Sequence, residues 1–188
     1  MAKIGLNNFR YAILTEAQDG TPSYDGAKKP AKAISCTVNI TNNNVTLYAD
    51  DALAESDTSF QSGTVEMGID DEDLETLADM LGHTYTEGQI VRSATDIAPY
   101  IGIGRVVKKM INNTLKYKAE FLYKVKMSEP SQEDNTQGET VAFATSTLSG
   151  TVATLANGKW SEAKVFDTQA AAISYIEEIM AATCSLMV

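Results

Sequence analysis

His83 is the only histidine in the chain, and it follows Gly82. A histidine serves as a general base when a serine or cysteine nucleophile stands beside it, and no nucleophile motif surrounds this one. Its place just past a glycine suits the carbonyl end of a helix, where a partly positive ring is favoured. Asp70, Asp71, Glu72 and Asp73 could offer oxygen ligands to a divalent cation, but an EF-hand spreads its ligands over alternate positions around a central glycine. Acids directly ahead of Leu74, Leu77, Ala78 and Leu81 read as the opening of a helix. Asp50 and Asp51 read as turn or interface residues rather than ligands. Gly102-Ile103-Gly104 lacks the third glycine of a dinucleotide fingerprint and the Gly-Lys-Ser/Thr ending of a P-loop, so it marks a bend or close packing within a strand. Cys36 and Cys184 are the two cysteines. They read as small apolar side chains in a reducing compartment rather than a disulfide framework. No catalytic, cofactor-binding or metal-binding residue is expected from these groups.

The charge balance narrows the partners. A formal net charge of -10 disfavours a grip on nucleic acid through phosphate neutralisation. Lys116, Lys118, Lys124 and Lys126 alternate along one segment with Glu120 among them, and no exposed aromatic set is interleaved for base stacking. They predict a solvated face or one that salt-bridges between subunits. With 188 residues, 44% hydrophobic and 21% charged, the chain suits one domain with a real core. Asn7, Asn8 and Arg10 interrupt any signal-peptide core, and Glu177 and Glu178 make 170–188 a poor membrane span. A soluble chain made in the cytoplasm, with no membrane partner, is expected.

The elements that position these residues follow from periodicity. Phe9 to Leu14 predicts a first strand, and the Gly/Pro-rich connector Asp19 to Pro30 follows it. From Ala33 to Asp51, apolar residues fall on even positions (Ile34, Cys36, Val38, Ile40) and then on odd ones (Val45, Leu47, Ala49). That switch favours an even-length turn, placed at Asn42-Asn43, with Ile40 opposite Val45. Glu55 to Ser62 reads as a polar loop. Val65, Met67 and Ile69 form a half-buried strand leading into a helix capped by Asp70 and ended by Gly82. Pro99 to Met110 and Leu115 to Met127 predict two long strands joined through Asn112-Asn113. In the second, Tyr117, Ala119, Phe121, Tyr123, Val125 and Met127 share one face, with Leu122 the exception. Thr140 to Gly158 carries no charge, which suits a central strand or an edge covered by an identical neighbour. A last strand runs to Phe166, and Asp167 or Thr168 caps a helix with Ile173, Ile176, Ile179 and Met180 on one face. The sum is mainly β (α+β): an antiparallel sandwich or barrel of roughly seven to nine strands with two helices.

Several ordered blocks resemble the major tail protein family of siphovirus-type long-tailed bacteriophages. They are LNNFRYAIL (Leu6–Leu14), TLYADDALAE (Thr46–Glu55), GTVEMGIDDEDLETLADMLGH (Gly63–His83), APYIGIGRV (Ala98–Val106) and YKAEFLYKVKMSEPSQEDNTQGETVAF (Tyr117–Phe143). The likeness runs through Asp167, and 168–188 stands apart as a C-terminal arm. The resemblance implies a tail tube domain: a β-sandwich with a flanking helix that forms hexameric rings, stacked into the conduit for DNA ejection. It implies a virion protein without catalytic site or cofactor. Its partners would be further copies of itself and the distal tail, tape measure and tail terminator proteins, while DNA passes through the lumen unbound. An acidic wall would let that DNA slide.

Within this reading, Asn42, Asn43, Asn44, Asp50, Asp51, Glu55, Ser56, Lys116 and Lys118 are the candidate subunit or inter-ring contacts, with the Asp19 to Pro30 connector and the 55–62 loop expected to order on a neighbour. A carbohydrate-binding β-sandwich of a tail fibre or cell-wall protein is the alternative, with Trp160 its one obvious stacking residue. A hydrolase is the third reading, and it lacks a nucleophile or metal constellation.

Overall fold

Period-two alternation dominates the chain, and the computed structural model resolves it into ten strands and two helices among the described residues, 2–30, 32–49, 52–70, 73–111, 113–130 and 146–181. In order they are β1 (Ala2–Glu16), β2 (Pro22–Tyr24), β3 (Ala33–Ala49), β4 (Ala52–Ile69), α1 (Leu74–Leu81), β5 (Thr84–Thr86), β6 (Gln89–Val91), β7 (Tyr100–Ile111), β8 (Thr114–Ser128), β9 (Ser146–Ala153), β10 (Ser161–Phe166) and α2 (Gln169–Ala181). The main sheet is antiparallel, in the order β2-β1-β7-β8-β9-β4-β3, and β10 joins it on β8. β5 and β6 form a separate small hairpin.

Strand β8 organises the sheet. One edge pairs with β7, and the other forks: Tyr117–Leu122 bonds β10, whereas Lys124–Ser128 bonds β9. Ile101 pairs with Val125 but Ile103 with Leu122, so β8 holds one extra residue between those positions. Such a bulge reverses the side-chain alternation beyond it. Ala119, Phe121 and Tyr123 therefore pack beneath α2, while Leu122, Val125 and Met127 join the opposite core beneath α1. The single apolar face expected of β8 is thus two faces, and Leu122 is no exception. Its lysines divide in the same way.

The two cores lie on opposite sides of this hairpin. Phe9, Tyr11, Val65, Met67, Ile103 and Leu148 meet Leu77, Met80 and Leu81 of α1 on one side. Ala12, Tyr24, Val106 and Phe121 meet Ala172, Ile176 and Met180 of α2 on the other. Strand β9 is paired on both edges, which accounts for the uncharged 146–153 segment; 140–145 lies outside the described residues.

Caps refine the helix boundaries. Asp73, not Asp70, opens α1: its carboxylate accepts from the Thr76 amide at 3.2 Å and from the Thr76 hydroxyl at 3.0 Å. Asp70 instead accepts from the Lys32 amide at 2.8 Å, tying the entry to β3. Asp71 and Glu72 lie outside the described residues. Gly82, at φ 76°, ends the helix in the left-handed conformation that glycine adopts without penalty. Thr168 opens α2, its hydroxyl accepting from the Ala171 amide. The Asp19 to Pro30 connector is not held in reserve for a neighbour. It forms β2 and buries Tyr24, whose hydroxyl donates to the Tyr123 carbonyl at 2.9 Å and whose ring meets Phe121 edge-on.

Gly104 brings α2 onto the sheet, because a Cβ there would stand 2.3 Å from Ile176 Cγ2. Gly104→Ala should lower stability by about 1–3 kcal/mol through overpacking, and adding Ile176→Ala should recover part of that loss. Chemical denaturation of the two single variants and the double variant measures this; strict additivity would exclude the contact.

Candidate functional site

The β3 and β4 strands outrun the sheet that supports them. β9 pairs with β4 only from Gly63 to Ile69, so Thr41–Ala49 and Ala52–Ser62 pair with each other and with no other strand among the described residues. The result is a two-stranded arm of roughly 30 Å at the usual strand rise. Asn42, Asn43 and Asn44 do not turn the chain. They lie exposed within β3, opposite Phe60, Ser59 and Thr58. The switch in apolar parity that predicted a turn is carried inside one unbroken strand, and a register shift there leaves Gln61 as the extra residue of β4. The strands meet instead across positions 50–51, since Ala49 pairs with Ala52. Asp50 and Asp51 themselves lie outside the described residues. The expected 55–62 loop is likewise strand: Glu55 pairs with Leu47, and Ser56, exposed, with Thr46.

Lys116 and Lys118 sit apart from this arm, on β8. Lys116 is ion-paired with Asp167 and Lys118 with Glu120, so both are engaged within the chain. The candidate contacts therefore form two groups, one on the arm and one at the β7–β8 hairpin.

At the arm's base, Trp160 stacks on Phe60, with centroids 4.8 Å apart and planes 12° from parallel. One face of Trp160 is thereby occupied. Trp160 borders a cleft of about 270 Å³ walled by Cys36, Val38 and Ile40 of β3 and by Ile103, Arg105 and Leu122 across from it. Arg105 interrupts an otherwise apolar alternation, Ile101, Ile103, Val107, and that break was the signal available in the sequence. Its guanidinium donates to Glu120 at 2.7 and 2.8 Å and to the Cys36 sulfur at 2.9 Å. Burial raises the Cys36 thiol pKa, with Arg105 opposing it only in part, so the group is a protonated thiol rather than a nucleophilic thiolate. Burial also opposes the charge on Glu120, but Lys118 and Arg105 outweigh it and hold the carboxyl below its ordinary range. Every buried side-chain polar atom among the described residues has a partner. The cluster ties β3 to the β7–β8 hairpin and holds no group poised for reaction.

His83 has a comparable structural role. Its Nδ1 lies 2.7 Å from Asp96 and its Nε2 2.6 Å from Glu129, with the side chain only 8% exposed. Arg92 approaches Glu129 at 3.4 Å. The carboxylates sit on opposite ring nitrogens and do not converge on a common point. Both can accept hydrogen bonds only from the doubly protonated ring. The expected helix-end position holds, since His83 N–H donates to the Ala78 carbonyl, but the bridge to the end of β8 was not legible.

No protein-family model matches the chain, and no curated protein matches it. Its class is therefore stated from structure: a mainly β protein of antiparallel sheets with two helices. No helix among the described residues is long and apolar enough to cross a membrane.

Two outcomes follow from the polar clusters. Removing one partner of the Arg105–Glu120 pair, whose side chains are 15% and 18% exposed, strands a charge. Glu120→Ala should therefore cost about 3 kcal/mol in denaturant unfolding, and Arg105→Met with Glu120→Leu markedly less. The folded-state pKa of His83 is raised, first by its hydrogen bond to Asp96 and then, against desolvation, by Glu129. The bridge's stabilisation is thus fully present below the unfolded value of about 6.5 and is lost as pH rises through the higher folded value. Thermal midpoints across that window should fall with pH in the native protein, and His83→Gln should flatten the slope.

Proposed function

We propose that this chain is the structural subunit of a phage tail tube, assembling into stacked hexameric rings that conduct DNA during ejection. The arm formed by β3 and β4 carries the reading. A two-stranded ribbon is marginally stable alone in water, and this one is polar on its described surface: Asn42, Asn43, Asn44, Thr46, Ser56, Thr58 and Ser59 are all exposed. Its outer edges present backbone donors and acceptors that another chain can pair. A neighbouring subunit that receives the arm satisfies those groups and fixes its register. Repeated from copy to copy, such a contact is heterologous and open, which is what a tube requires. The ordered blocks resembling the major tail protein family support the same role, and the TLYADDALAE block lies on the arm. The tube would form as one domain per subunit within the virion tail, meeting the distal tail, tape measure and tail terminator proteins at its ends.

Replacing residues 44–58 with Asn-Gly closes the hairpin after the Asn43–Ser59 pair with a favoured turn. This variant should fold, with unfolding free energy within about 1 kcal/mol of the parent, yet form no tubes in negative-stain microscopy. Charge reversal at Asp50 and Asp51 should likewise impair polymerisation more than folding. Tubes from the shortened variant, or absence of this chain from purified tails, would defeat the reading.

A further inference from the structure

Packing is incomplete at one margin of the core beneath α1. Cross-strand partners share a face of the sheet, so the register sets Ile103, Leu122 and Ser161 in one row and Arg105, Glu120 and Ala163 in the next. The β7 and β8 members of these rows are large, whereas β10 contributes only a hydroxymethyl and a methyl group. Across the gap, Val38 and Ile40 of β3 stay half-buried. The space between is the cleft of about 270 Å³ that Trp160 borders. Interiors are normally packed without such gaps, and the atoms lining one forfeit dispersion contacts. Its volume lies near the lower end of the ~300–1,000 Å³ range of small-molecule sites.

The polar side of the cleft is cationic. Arg105 and Lys118 both ion-pair with Glu120, so two cations share one carboxylate. Glu162 also borders the cleft, but its carboxylate accepts from the Tyr123 hydroxyl, on the α2 side of the sheet. An excess of positive charge stands out on a chain of net charge -10. The Lys118 ammonium has N–H donors beyond the one given to Glu120. The side chains of Arg105 and Lys118 are 15% and 24% exposed. Both are sheltered enough to strengthen a charge-assisted hydrogen bond, yet a ligand in the cleft can reach them.

We propose that this cleft binds a small monocarboxylate with an apolar body. Its acid group lies on Lys118 and Arg105, and its hydrocarbon lies between Trp160, Val38 and Ile40 and the short side chains of Ser161 and Ala163. The apolar part restores the contacts that the gap forfeits, and the acid group meets the excess charge without removing Glu120 from Arg105. A cation of the same shape is opposed by Lys118 and Arg105. A sugar would set its hydroxyl groups against the aliphatic wall of Val38, Ile40 and Leu122, where they find no partner. The site is independent of the tube reading, because a single chain contains all of it.

Trp160 is the only tryptophan in the chain, so its fluorescence reports occupancy in the full-length protein. Octanoate should give a saturable change, and hexanoate should bind roughly tenfold more weakly for want of two methylenes. Octylamine, protonated at neutral pH, should not compete. Octanoate should also slow alkylation of Cys36, which lines the cleft, by N-ethylmaleimide in a Cys184→Ser background. Lys118→Gln should weaken octanoate binding roughly tenfold and leave the weaker binding of octan-1-ol unchanged. Ala163→Leu fills the gap and should abolish binding, and octanoate should raise the unfolding temperature of the native chain but not of this variant. If Ala163→Leu does not fold, the Lys118→Gln comparison decides. Absence of saturable octanoate binding, equal binding of octylamine, an octanoate affinity unmoved by Lys118→Gln, or binding that survives in folded Ala163→Leu overturns the site. None of these outcomes bears on tube formation, which negative-stain microscopy reads separately.

Discussion

Burial of β8 on both faces is the constraint on which the rest of the structure depends. A strand packed on one side needs only one apolar set, but this one must serve a core beneath α1 and another beneath α2. The bulge between Leu122 and Val125 makes that feasible within a single strand, because it transfers the alternation from one core to the other. The fork on its outer edge has the same origin. β10 closes the half that carries Ala119 and Phe121, and β9 closes the half that carries Val125 and Met127. Gly104 and Gly102 then let α2 and Tyr24 sit directly on the sheet.

Polar groups close the gaps that this arrangement leaves. Arg105 spans from the hairpin to β3, where the main sheet ends, and its bonds to Glu120 and Cys36 hold that edge near the core. His83 links the end of α1 to the end of β8. Lys28 bridges to Asp79 at 2.7 Å and fastens the β2 connector to α1, where the Tyr11 hydroxyl, its pKa pushed up to about 12 mainly by burial, also approaches Asp79. Each contact joins elements distant in sequence, and each uses a residue whose partner no local pattern could name.

Legibility followed the range of the determining interaction. The β7–β8 hairpin, in which Ile111 pairs with Thr114 while Asn112 lies outside the described residues, the Gly82 terminus and the final helix were readable because turn chemistry and periodicity act over a few residues. The arm was misread because an asparagine triplet carries the local signature of a turn, while pairing with β4 decides that it remains strand. Asp70 was displaced as a cap by a bond to Lys32, thirty-eight residues away. The split of β8 between two cores required knowing that α2 covers one face. Of the candidate contacts, the arm residues share one ribbon, yet the pairing of Lys116 and Lys118 within the chain depended on β10 and on a neighbour two residues along β8.

The covered sheet and the ribbon beyond it are held by different forces. The cores, the caps and the buried ion pair lie where the main sheet is covered on both sides. The polar ribbon of β3 and β4 lies beyond that cover, and its outer edges pair with no other strand among the described residues. A sequence selected only for stability of the single chain would shorten this ribbon. Phe60, at the base of the ribbon, packs against the core beneath α1, so the ribbon is anchored at that end and held along the rest of its length by its own ladder.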